Sequence, residues 1–152
     1  MTVGTYPTKA GFFMEKLDRE AGSTAVQIIL CPDVYPISPV RAGDEKVDAV
    51  FTVIRDADFS VVNFEIPLTD RGVAVPKLLN IKGPPAAAEG LSSLGFSVAS
   101  LANNHAGDYG WDGLVDTRRA LEAQSIQVVG MGETLGEALR PVVTDVKSSA
   151  SA

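Results

Sequence analysis

Between Ser100 and Gly110 the chain reads SLANNHAGDYG, placing two adjacent amides, Asn103 and Asn104, beside the chain's single histidine, His105, and three residues ahead of Asp108. Three further polar positions interrupt apolar stretches upstream: Asp33 in IILCPDV, and Asn63 with Glu65 in VVNFE. Carboxylates, amide oxygens and an imidazole together form a donor set suited to hard or borderline divalent cations. Taken singly, each residue also has a plainer reading. Asp33, near Pro32 and Pro36, can be a turn former. Glu65 can be a solvated charge at a strand end. Asn103 and Asn104 can supply turn or capping geometry, His105 can cap the following helix, and Asp108 can complement that helix's N-terminus.

What would bring these positions together is an alternation of strands and helices. AVQIIL (25–30) is a short β-rich run. KVDAVFTVIRDA (46–57) sets Val47, Val50, Phe51 and Ile54 on one helical face. FSVVNF (59–64) is a second strand, and PAAAEGLSSLG (85–95) a helix with Pro85 in its first turn and Gly95 as its stop. FSVASLA (96–102) follows as a third strand. WDGLVDTRRALEAQ (111–124) forms a helix with Trp111, Leu114, Val115 and Leu121 on one stripe, IQVVGM (126–131) a fourth strand, and TLGEALR (134–140) a short helix ending before Pro141. Such alternation implies right-handed crossovers and a mainly parallel α/β sheet flanked by helices. In that architecture ligands gather at the carboxyl ends of the strands, where three successive strands would deliver Asp33, then Asn63 and Glu65, then Asn103, Asn104 and His105.

Around this core, residues 1–24 read as an N-terminal extension with a weak helical pattern of Phe13, Met14, Leu17 and Ala21 ending at Gly22. Residues 25–146 read as one partial domain, and 147–152 as a disordered tail. At 152 residues, with 45% apolar and 21% charged positions, the chain is long enough for one globular domain with a real core. A net charge of −6 without clustered Lys or Arg argues against nucleic acid as a partner. The longest apolar runs are too short for an integral membrane segment, and the first thirty residues lack a basic start followed by an apolar core. With one cysteine, a cytoplasmic setting is the default expectation. Cys31 itself reads as a buried structural thiol. There is no P-loop, nucleophile elbow or C-x-x-C, and the glycines of GMGETLG do not match a dinucleotide fingerprint.

NFEIPLT, SLANNHAGDYGWDGLVDTRRALEAQSIQVVGMG and ALRPVV, in this order and spacing, resemble the CapA-type proteins of poly-γ-glutamate capsule biosynthesis, a branch of the calcineurin-like metallophosphatases; the resemblance runs roughly from Val26 to Val143. It implies a calcineurin-like fold and a site of two divalent metal ions of the Mn, Zn or Fe type, with Asp33, Glu65 and Asn104 as metal ligands. His105 would act beside the scissile group as acid or electrostatic stabiliser, with Asp108 orienting it. Asn63 and Asn103 would lie on the substrate side, and Lys82 in NIKGPP would meet an anionic, polyglutamate-type substrate, although a plain surface lysine is the duller reading. The implied activity is metal-dependent hydrolysis of a phosphoryl or amide bond. The alternative is a non-catalytic accessory or scaffold protein, or an inactive fragment.

Two departures from the family pattern stand out. CPD replaces the usual glycine before the first aspartate, and the family's later strands and late histidines have no counterpart here. The expectation is therefore an incomplete, N-terminal portion of the fold, with a missing C-terminal part or an exposed edge favouring homo-oligomers. Family members often sit at the cell envelope.

Overall fold

The computed structural model describes residues 3–7, 13–17, 26–36 and 51–146. Nine elements follow in chain order: β1 (Val3–Pro7), β2 (Phe13–Leu17), β3 (Ile28–Val34), β4 (Phe59–Phe64), α1 (Ala87–Ser93), β5 (Val98–Ser100), α2 (Gly110–Ala123), β6 (Gln127–Val129) and α3 (Leu135–Ala138). Residues 51–55 are also helical and lead into β4; the expected start of that helix at residue 46 lies outside the described residues. So do Val47 and Val50, Ala21 and Gly22, and the expected tail 147–152.

The main sheet has the order β3-β4-β5-β6, and every neighbouring pair is parallel, so the mainly parallel α/β architecture expected from the alternation is the one found. β4 alternates between partly buried and buried positions along FSVVNF. Ser60, Val62 and Phe64 therefore share the core face, while Asn63 points to the opposite face beside its buried neighbours. The core gathers Phe64 and Leu68, Leu91 of α1, Leu101, and Leu121 with Ile126 around α2. α1 winds out of Pro84 and Pro85, whose carbonyls accept from Ala87 N and Ala88 N at 2.9 and 3.1 Å, and it ends before Gly95, whose φ of +86° only glycine adopts without strain.

Three expectations change. Phe13–Leu17 is a strand, paired antiparallel with Val3–Pro7, where the spacing of its apolar residues suggested a helix. Over so few residues periodicity does not separate the two, and pairing decides. Trp111 is 48% exposed and stands outside the buried stripe of α2, which is Gly113, Thr117 and Leu121. Gly113 and Thr117 keep the first part of that stripe small because the helix lies against the loop after β4: a Cβ at Gly113 would stand 2.9 Å from Tyr109 Cβ and 3.3 Å from Thr69 Cγ2. Finally, Cys31, expected as a buried thiol, is only half-buried: it lies in β3 at the border of the sheet, where Ile28 and Leu30 are exposed while Ile29 and Cys31 pack on the core. Burial pushes the Cys31 thiol up, which lowers its thiolate fraction.

Thr117 fastens α2 to this loop. Its hydroxyl donates to Gly113 O at 2.7 Å and accepts from Leu68 N at 2.8 Å, with no exposure to solvent. Thr117→Val keeps the shape and orphans the Leu68 N–H, so it is expected to cost about 1–2 kcal/mol in urea unfolding with an unchanged m-value. Among the described residues no helix is long and apolar enough to cross a membrane.

Candidate functional site

The carboxyl ends of β3 and β4 lie side by side, and the register between them shifts between Cys31 and Asp33. Pro32 falls at that shift. Without an N–H it cannot continue the ladder, and a bulge there re-aims the next residue. Asp33 then pairs with Asn63 in the neighbouring strand. Asn63 Nδ2 donates to Asp33 Oδ1 and to Glu65 Oε2, each at 2.7 Å. Glu65, just past β4, is buried, and Tyr35 donates its hydroxyl to the other Asp33 oxygen at 3.3 Å. Two acidic side chains thus converge on one amide nitrogen.

The orientation of that amide follows from the loop after β5. Asn103 Oδ1 accepts two backbone donors, His105 N at 3.0 Å and Ala106 N at 2.8 Å. Its Nδ2 must therefore point the other way, where it donates to Phe64 O at 2.9 Å and to Asn63 Oδ1 at 3.2 Å. With its oxygen so occupied, Asn63 has only its NH₂ to offer the carboxylates. A chain of side-chain amides links the turn at His105 to the acidic pair.

Asp108 forms a second centre. It is fully buried, and its carboxylate receives Lys77 Nζ on Oδ1 at 2.5 Å, and both Ile81 N at 3.0 Å and His105 Nδ1 at 2.8 Å on Oδ2. Burial pushes this carboxyl up, but the hydrogen bonds from His105, Lys77 and Ile81 outweigh it and hold the group below the usual carboxylate range. Lys77 also donates to Asn104 O at 2.9 Å, and its Nζ lies 3.2 Å from His105 Nδ1. Val75 N donates to Asp108 O at 2.9 Å. The segment between β4 and α1 is thereby tied across the His105 turn.

Of the residues expected from sequence, the structure brings Asp33, Asn63, Glu65 and Asn103 into one hydrogen-bonded set, joins His105 to it through the turn, and joins Asp108 to His105. Asn104 is exposed, and it is its backbone carbonyl that is engaged. Lys82 stands apart, its ammonium 4.7 Å above the Tyr109 ring. The lysine beside His105 is Lys77, which the sequence reading passed over. Its only signal was position in the loop after NFEIPLT, and a lysine in a polar loop looks like any solvated charge. Tyr35 was missed for the same reason.

Two carboxylates flanked by amides are hard oxygen donors, and the Asn63 amide nitrogen, 2.7 Å from each, holds both acids in orientation. Among the described residues no three His, Cys, Asp or Glu side chains converge to hold a metal, so an ion at this rim would need donors beyond the two acids. An open groove of about 450 Å³, lined by Asp70, Arg71, Pro85, Asp116, Arg119 and Ala120, shares no residue with the rim. There Arg71 forms a two-pronged pair with Asp116, whose carboxyl the Arg71 and Thr69 hydrogen bonds hold below its ordinary range.

Comparison with known proteins agrees with the resemblance. The family described as "Bacterial capsule synthesis protein PGA_cap" matches residues 23–152. The chain is 28% identical over 111 residues to the PGA biosynthesis protein CapA of Bacillus subtilis, covering 72% of this chain and 29% of that protein. It is 30% identical over 97 residues to the capsule biosynthesis protein CapA of Bacillus anthracis, covering 61% and 24%. With a probable polyglutamine synthesis accessory protein of Mycobacterium tuberculosis the identity is 37% over 90 residues, covering 59% and 24%. The chain therefore spans between 24% and 29% of the length of these curated relatives.

Proposed function

Because the chain belongs to the PGA_cap family of bacterial capsule synthesis proteins, we propose that it serves the making of a polyglutamate-type capsule polymer, and that its rim is a metal-assisted hydrolytic site for an anionic substrate. The observation that carries this reading is the convergence of Asp33 and Glu65, from the ends of adjacent parallel strands, on one point between them. Two like charges held this close call for a positive or proton-donating group between them, and Asn63 supplies the latter.

Asp33 and Glu65 would hold a divalent ion, with the amide of Asn104 as a further oxygen donor from the exposed turn. Such an ion, when bound, supplies Lewis acidity and activation of water. The remaining work belongs to the chain. Asn63 offsets the repulsion between the acids, and Asn103 holds Asn63 in place. His105 exchanges a proton at Nε2, while Asp108 keeps Nδ1 engaged. The hydrolysed bond is a phosphoryl ester or a γ-glutamyl amide.

Calorimetric titration with Mn²⁺ tests the cation. Stoichiometric binding that disappears in Asp33→Ala and Glu65→Ala is the expected result; a folded chain that takes up no Mn²⁺ at millimolar concentration sinks the hydrolytic reading. His105→Ala is expected to keep Mn²⁺ binding and to lower turnover of a phosphodiester or a γ-glutamyl amide by roughly 10²–10⁴-fold. One observation favours a second, non-catalytic reading: the acidic pair is already satisfied by an amide whose orientation is locked from behind. An accessory or scaffold role fits a rim complete in this form, and absent turnover with intact folding would select it.

A further inference from the structure

We propose that Lys77 is a positioning residue for His105, holding the imidazole in the tautomer that carries its proton on Nδ1 and leaves a lone pair at Nε2. The proposal rests on the reading of His105 as a proton-exchanging group, and it concerns a residue for which neither motif nor family match assigns a part.

Asp108 has no access to solvent, so its charge needs compensation from inside the protein. The compensating cation is Lys77, whose ammonium lies on Oδ1. The other carboxylate oxygen takes the Ile81 N–H and faces His105 Nδ1. An ionised carboxylate only accepts, so the hydrogen in the 2.8 Å contact belongs to Nδ1. The proton on one ring nitrogen then decides the state of the other, and a neutral ring presents Nε2 as an acceptor. Lys77 also lies 3.2 Å from Nδ1. With Nδ1 already a donor, that approach is no hydrogen bond, and the ammonium's protons go instead to Asp108 and to Asn104 O at 2.9 Å. Through that carbonyl Lys77 also holds the backbone immediately before His105. Without Lys77, Asp108 would be a sealed carboxylate lacking its counter-charge. Protonating Asp108 would make it a donor, and the ring would have to turn over its tautomer.

The chain has one histidine, so ¹⁵N-histidine labelling reports a single ring. In a long-range ¹H–¹⁵N spectrum at a pH where the ring is neutral, the wild-type protein is expected to show Nδ1 protonated and Nε2 bare. The opposite tautomer in the wild type overturns the proposal without any variant. Lys77→Met is expected to lose the Nδ1-protonated signature, and Lys77→Arg, which keeps the charge, to restore it. A Lys77→Met spectrum unchanged from wild type also overturns it. Should Lys77→Met fail to fold, the folded Lys77→Arg protein decides, since loss of the signature there contradicts a role for the charge. The readout involves neither metal nor turnover, so it stands apart from the Mn²⁺ titration: a locked ring in a chain that binds no Mn²⁺ would refute the hydrolytic reading and leave this one intact.

Discussion

Asp108→Ala is expected to destabilise the protein by about 3 kcal/mol, the low end of the cost of breaking a buried ion pair, because Lys77 keeps 27% of its side chain in solvent while Asp108 keeps none. The loss should appear as a fall in Tm of roughly 6–12 °C for a chain of this length. The variant strands the Ile81 N–H, the Lys77 ammonium and His105 Nδ1 together, so three donors on two loops lose their common acceptor. The pH dependence follows from the lowered pKa of Asp108. An unfolded aspartate titrates near 3.9, so below about pH 4 the unfolded chain binds the proton first. The stabilisation is therefore present above that pH and is lost as acid carries the solution through the folded value. Asp108→Asn should flatten that part of the acid limb, leaving the share due to Asp116, which is lowered in the same direction by Arg71. An acid limb identical in wild type and Asp108→Asn would show that the carboxylate is not held as described.

Asn103→Ala is expected to cost about 2–3 kcal/mol, because it removes the acceptor for His105 N and Ala106 N and the donor to Phe64 O at once. It also frees Asn63 to rotate away from Asp33 and Glu65. Mn²⁺ affinity should then fall by roughly 10–100-fold, the usual effect of losing a residue that holds the ligands in place. Its neighbour supplies the control. Asn104 is exposed and its side chain braces nothing, so Asn104→Ala should change stability by less than about 0.5 kcal/mol. Any Mn²⁺ affinity lost in Asn104→Ala reports on ligation alone. Equal destabilisation by the two substitutions in denaturant titrations would refute the bracing role assigned to Asn103.

Much of this arrangement was legible from the residues. The alternation of VVNF, ASL and QVV with the helices over 87–93 and 110–123 is a strong local pattern, and parallel order with helical crossovers follows from it. Since strand ends in such sheets share one rim, Asp33, Asn63, Glu65 and the Asn103–His105 turn had to be neighbours. Less was legible where local signals are weak or shared. The five residues from Phe13 fit either period, and only pairing with Val3–Pro7 separates strand from helix. Trp111 fell by its spacing on one stripe with Leu114, Val115 and Leu121, yet close approach of α2 to its loop requires Gly113 and Thr117 on the contact face.

The sequence by itself determined the parallel sheet and most of the groups at its rim, because hydrophobic period and strand-end position are local properties of the chain. Only the tertiary structure decided the wiring: that Asn103 rather than Asn104 braces the acidic pair, that Asn63 faces it with its NH₂, and that Lys77, 31 residues away, is the counter-ion of Asp108. Hydrogen-bond direction is set by which donors and acceptors each neighbour has left to offer, and a buried charge is paired by whatever cation the folded loop delivers to it. Neither quantity exists until segments distant in sequence are in contact.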